Sequence, residues 1–115
     1  MPRNMSFALT QEQIKSKTKT VTRRMNWQCL KVGDIVNAVN KTMGLKKGER
    51  PIRLATLKIT SIHREKLTKI TQEECAKEGF PNYSPWDFVC LFVEANNCKP
   101  DVEITRIEFE FVASS

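Results

Sequence analysis

The sequence predicts a small α+β barrel, mostly antiparallel, with flanking helices. Three observations carry this. Helix-like segments come grouped rather than alternating with every strand, which argues against a parallel βαβ sheet. The strand-like segments are joined by short turns, as in small barrels. Residues 103–112 alternate cleanly, with Ile107, Phe109 and Phe111 on one side and Glu108 and Glu110 on the other. That pattern marks an antiparallel strand with one wet face. At 115 residues, one domain spanning 1–115 is expected. The apolar share of 40% and charged share of 28% fit a globular chain rather than a disordered one.

The elements follow in order. Thr10-Gln11-Glu12-Gln13 matches a capping box, predicting a helix over residues 11–17. Residues 18–24, Thr-Lys-Thr-Val-Thr-Arg-Arg, are rich in β-branched side chains and read as a strand or extended turn. Gly33-Asp34 signals a turn into a strand over 35–39. Residues 40–51 hold two glycines, a proline and four basic residues, and read as a basic loop. Residues 53–64 form a long strand, with Leu57 and Ile59 on one face; Ile62 breaks the alternation and places a bulge near Ser61. Thr71-Gln72-Glu73-Glu74 opens a helix that Gly79 stops after Glu78. Ser84-Pro85-Trp86-Asp87 opens another, with proline at its first position. This makes the apolar run 88–93 a buried helix, ending near Asn96-Asn97. That run is far short of the roughly 20 residues a membrane span requires, and residues 1–10 lack an apolar secretory stretch. A cytoplasmic location without membrane attachment is expected.

Net charge is +6, unevenly spread. Residues 1–31 carry seven bases and one acid, residues 32–70 nine and three, and residues 71–115 three and nine. One electropositive face is expected, attractive to phosphate and hence to nucleic acid. A solvated basic surface without a partner has the same composition. Cys29, Cys75, Cys90 and Cys98 form no C-x-x-C, and His63 is the only histidine. No metal site and no cofactor are expected from this spacing, and reduced thiols are expected in a reducing compartment. Cys75 and Cys90 read as small apolar packing groups within helices.

The densest candidate for chemistry is Lys19-Thr20-Val21-Thr22-Arg23-Arg24. Cations beside hydroxyls bind phosphate through charge and hydrogen bonds together. A lysine in an apolar pocket also loses its proton more easily and can serve as a base toward a hydroxyl. A charged strand edge that discourages pairing is the structural alternative. Trp27, Tyr83 and Trp86 are the aromatics available to stack on a base. Trp27 lies nearest the basic segment and is placed at the mouth of its cleft. Trp86, at a helix start, reads as a packing residue, and His63 as a surface group. Glu78 in the last turn before a glycine stop opposes the helix dipole, which hints at another role.

The K-T-V-T-R-R segment is followed by Lys31-Val32-Gly33-Asp34 before a strand. A capped helix ending Ala76-Lys77-Glu78-Gly79-Phe80 and a closing Ile107-x-Phe109-x-Phe111 strand complete the pattern. In this order and spacing, over residues 7–112, the chain resembles the ASCH domain family, short stand-alone members of which occur in bacteria and phages. The resemblance implies a PUA-like β-barrel with an open cleft, and RNA or a modified nucleobase in nucleic acid as partner. Some family members are amidohydrolases that deacetylate N4-acetylcytidine with a Lys, a Thr three residues on, and a Glu. These positions match Lys19, Thr22 and Glu78 here. The implied roles are base, nucleophile and proton shuttle. Another member has been linked to RNA cleavage. Arg23-Arg24 replaces an apolar–Arg pair, and the 40–51 loop is longer and more basic. Added cations suit a polymer.

The first reading is therefore a domain binding RNA or a modified base through Lys19, Thr20, Thr22, Arg23, Arg24, Trp27, Lys46, Lys47 and Glu78. The second is a hydrolase, either an N4-acylcytidine amidohydrolase or a ribonuclease, with Lys19, Thr22 and Glu78 catalytic. The third is an interaction module, such as a phage protein docking on a host factor. Convergence of Lys19, Thr22 and Glu78 requires a bend, because residues i and i+3 of a regular strand face opposite ways.

Overall fold

A computed structural model describes residues 3–113. The elements are β1 (Arg3–Ser6), α1 (Gln11–Lys15), β2 (Val21–Arg24), β3 (Ile35–Val39) and β4 (Arg53–Lys66). A 3₁₀ turn (Leu67–Lys69) follows, then α2 (Gln72–Lys77), α3 (Pro85–Asn96) and β5 (Glu103–Phe111). The five strands form one sheet in the order β1-β3-β4-β5-β2. Every pairing is antiparallel except β1 with β3. The sheet curls, and its two edge strands are tied by Arg24 of β2, which donates to the Ser6 carbonyl of β1 at 2.5 Å. The result is a small half-barrel of the α+β class with helices beside it.

β4 is the spine. Its ladder with β5 shifts register between Ile59 and Ser61, so Thr60 is the extra residue. The bulge falls where the broken alternation placed it. It also returns Ile62 to the face that carries Ile59, against the same hydrophobic cluster. That cluster fills the concave side of the sheet with Met5, Phe7, Ile14, Leu57, Ile59 and Ile107 among others. A second cluster joins α2 and α3 to the far end of β5 through Leu67, Ile70, Cys75, Phe88, Phe92 and Ile104. Each fully buried large aliphatic contributes about 1.5–3 kcal/mol.

Several local expectations are corrected. β1 is an additional strand. Its polar Arg-Asn-Met-Ser run carries no period, and it forms because β3 offers a parallel edge. α1 ends at Lys15 rather than 17, and Lys17 turns the chain with φ +63°. The Thr10 side chain makes no cap. Gln13 instead spends its amide on the Gly79 carbonyl, 3.1 Å away. In the second capping box only half forms. Thr71 accepts from the Glu74 amide, while the Glu74 carboxylate is drawn into an ion cluster. The box at Ser84 and Asp87 is complete. Within 88–93, helical spacing buries Phe88, Val89 and Phe92 and turns Cys90 out to solvent. Cys75 is buried, but Cys90 is not a packing group. Phe111 is half-buried at the end of β5 and meets Phe109 edge-on at 5.8 Å.

Gly79 has φ +101°, and a Cβ there would stand 2.9 Å from Gln13 Cγ. Gly79→Ala therefore combines left-handed strain with a clash against Gln13, which joins α1 to the α2 stop. A loss of about 2–3 kcal/mol is expected in urea unfolding, against about 1 kcal/mol for Gly48→Ala, which shares the left-handed strain (φ +82°) but meets open space in a loop.

Candidate functional site

Lys19 lies before β2, outside the regular strand, so strand alternation does not hold it opposite Thr22. Lys19, Thr22, Arg23, Arg24 and Glu78 all reach the wall of one cavity of about 510 Å³. The cavity occupies the gap between edge strands β1 and β2 and is walled on its apolar side by Phe7, Phe80, Phe88, Leu91 and Phe92. Its volume lies within the roughly 300–1,000 Å³ usual for small-molecule sites.

Glu78, the C-cap of α2, is only 2% exposed. Its carboxylate accepts from Lys19 Nζ at 2.7 Å and from Arg23 NH1 at 3.1 Å. Lys19 Nζ donates a second bond, 2.6 Å long, to the Glu78 backbone carbonyl. That carbonyl is one of the orphan acceptors at a helix end. A cation here stabilises the helix terminus and offsets the misplaced negative charge of the Glu78 side chain. Burial pushes the Lys19 pKa below its ordinary value, against the opposing pull of Glu78.

Arg23 reaches further. NH2 donates to Glu74 at 2.9 Å and to Glu65 at 3.2 Å, so one buried guanidinium meets three carboxylates. Arg106 stands directly opposite Arg23 in the β2–β5 register. Like charges so placed repel. Glu74 Oε1 accepts from both, with Arg106 Nε at 2.5 Å, and so bridges them. Hydrogen bonding to Arg106, with further help from Arg23, holds the Glu74 carboxyl down at about 2 against the effect of burial.

Thr22 and Arg24, two residues apart on β2, stand side by side. Arg24 Nε donates to Thr22 Oγ1 at 3.1 Å, and the guanidinium lies 4.7 Å over the Phe7 ring. Burial lowers the Arg24 pKa to about 10, leaving it charged at neutral pH. Because Thr22 Oγ1 accepts from Arg24, its own hydroxyl proton is directed elsewhere.

A second hollow of about 490 Å³ abuts the first and is lined by Arg24, Asn26, Trp27, Lys41 and Thr42. Trp27 thus stands in the neighbouring hollow rather than the first. The other predicted residues do not gather. Thr20 lines neither hollow; its backbone joins Lys77 and Phe109. Lys46 and Lys47 are exposed on the 40–51 loop and line neither. That loop sends Lys41, Thr42 and Met43 instead. Tyr83 packs on Phe80 at 4.8 Å. Trp86 is 61% exposed, so it is not the packing residue its position suggested. His63 is exposed beside Glu65. Arg106, Glu74 and Glu65 carry no local sequence signal for a place at the site. The buried face of β5 beside a cross-strand arginine pair is the signal that would have found them, and it requires the strand register.

No protein-family model and no curated protein matches the chain. Solved structures do. Protein EF3133 from Enterococcus faecalis V583 has a TM-score of 0.68 at 19% identity, covering 97% of this chain and 80% of its own. An ASCH domain from Lactobacillus crispatus JV V101 has a TM-score of 0.62 at 14% identity, covering 95% and 78%. Hypothetical protein PH0355 has a TM-score of 0.67 at 18% identity, covering 97% and 100%. The chain therefore has the fold of an ASCH domain, the PUA-like half-barrel its motifs implied. Among the described residues no helix is long and apolar enough to cross a membrane.

Proposed function

We propose that this ASCH-fold chain binds a nucleobase, carried by RNA or presented as a modified nucleoside, in the cavity between β1 and β2. The observation that carries the reading is the composition of that cavity. A buried ammonium, a buried carboxylate and a hydroxyl line it together with aromatic and aliphatic side chains. A base is a flat apolar body with donors and acceptors only at its edge. Lys19 offers donors, Glu78 acceptors and Thr22 both, so a base edge is satisfied while its faces lie on hydrocarbon. Both Lys19 bonds run to Glu78, so the lysine rests as a cation already paired, an arrangement suited to recognition.

Calorimetric titration with cytidine, N4-acetylcytidine, uridine and short single-stranded RNA tests this. At least one base series binds, and Lys19→Met and Thr22→Val each weaken it about tenfold or more, as loss of a buried charged or polar partner does. Absence of binding across all of them overturns the reading.

A second reading is favoured by one specific contact, the Arg24–Thr22 bond that turns the Thr22 proton away from Arg24. In it, the Lys19 amine takes that proton and Thr22 Oγ1 bonds to the acyl carbon of an N4-acylated cytosine. The C–N bond breaks, and Glu78 relays to the leaving nitrogen the proton that Lys19 took from Thr22. Water then cleaves the ester to release carboxylate and restore Thr22. Acetate release from N4-acetylcytidine, lost in Thr22→Val even at substrate concentrations that saturate the variant, separates catalysis from binding. The rate would rise with pH, with a midpoint below the ordinary lysine value of 10.5, since burial favours the free amine.

A further inference from the structure

The second hollow has no part in holding a base within the first. It is nearly as large, and Ser6, Ala8, Arg24, Met43 and Asn96 line both. The boundary is therefore a shared rim, and the two hollows adjoin across it. In the proposed pose, a base with its edge against Lys19 and Glu78 has this rim as the side on which its sugar can continue. The cation of the rim, Arg24, is fixed on three sides by Thr22, the Ser6 carbonyl and the Phe7 ring.

Beyond the rim the chemistry changes. Lys41 supplies a cation, 38% exposed and tied only loosely to Glu49 at 3.4 Å. Asn26 and Thr42 supply exposed polar groups, and Trp27 an indole. Trp27 holds φ +74°, a conformation that a bulky side chain rarely adopts. The Arg3 guanidinium braces its ring at 4.2 Å. A phosphate-sized cation site beside an aromatic plane, entered from a base-sized cavity, matches a nucleotide unit joined to the one inside.

We infer that this hollow is a subsite for the nucleotide adjoining the bound base, so that the chain takes a base within a single-stranded oligonucleotide in preference to a free nucleoside. Lys41 meets the linking phosphate and Trp27 stacks on the neighbouring base. The inference rests on the base-binding reading above.

The test compares N4-acetylcytidine and cytidine with ribotrinucleotides carrying the same base in the centre. The host is Trp86→Phe, which leaves Trp27 as the sole tryptophan of the two. The trinucleotide binds at least ~10-fold more tightly than its nucleoside and quenches Trp27 fluorescence, as one stacked base and one phosphate contact should. Trp27→Ala brings that affinity ratio down to within about threefold of unity. Lys41→Ala reduces the salt slope of trinucleotide binding by about one. A ratio near one in the host protein, or a ratio that neither substitution changes, overturns the subsite while the base cavity stands. Failure of nucleosides and trinucleotides alike removes the base-binding reading itself, and the subsite with it.

Discussion

Glu78→Gln is expected to lower stability by about 3–5 kcal/mol, as breaking a buried ion pair from one side does. The carboxylate is the shared acceptor of two buried cations. Lys19 holds one oxygen at 2.7 Å and Arg23 the other at 3.1 Å. An amide keeps one acceptor and turns its NH2 against the other donor. Lys19 then retains the Glu78 backbone carbonyl, and Arg23 retains Glu74 and Glu65, so the chain folds with a reduced margin. A domain of this size has only about 5–15 kcal/mol to lose. Chemical unfolding at pH 7 measures the effect. Lys19→Met is the informative partner variant, because it removes a cation while Glu78 keeps Arg23. If the pair acts as a unit, the double variant Lys19→Met/Glu78→Gln costs clearly less than the two single losses added together. Additive losses would mean that Glu78 acts through Arg23 rather than through Lys19.

How much of this was legible beforehand follows from which interactions are local. The Ser84 cap, the Gly79 stop, the bulge near Ser61 and the strand over 35–39 are each decided by a few adjacent residues, and each stands where the pattern placed it. The Thr10 box is equally local in appearance, yet Gln13 found a better acceptor 66 positions away. β1 could not be read at all, since a four-residue polar strand exists only through the neighbour that pairs with it. The site divides the same way. Lys19, Thr22 and Glu78 stand out as residue types, but their meeting depends on where β2 begins and on where α2 ends. Lys46 and Lys47 were drawn in by charge density. The loop instead presents Lys41 to the groove, a choice made by the path of the backbone and invisible to composition. Arg23 shows the limit most clearly. Its one-dimensional neighbourhood suggests a cation for phosphate, whereas folding surrounds it with Glu65, Glu74 and Glu78. It is a structural counter-ion first.

That cluster also gives the protein a defined response to acid. Glu74 is held at about 2 by its bonds to Arg106 and Arg23, below the value of 4.5 expected for it unfolded. A carboxyl with a depressed pKa in the native state contributes stability that is present above the unfolded value. That stability fades as pH falls toward the native one. Glu74 is half-buried, so solvent screening discounts the full value of that shift. Glu74→Gln should therefore be less stable than the parent by about 1–2 kcal/mol at pH 7. The gap should begin to close below about pH 5 and nearly vanish by about pH 2. Parallel urea titrations of the two proteins across that range isolate this one group, since the other carboxylates titrate in both. The physical origin is the arginine pair facing each other across β2 and β5. Protonating Glu74 removes the negative charge that lets them sit together, so repulsion adds to the lost hydrogen bonds. A gap that stays constant with pH would show that Glu74 acts through packing alone. The closeness of Arg23 and Arg106 would then have to be sustained by Glu65, Glu78 and Glu108, each of which bonds only one of the two.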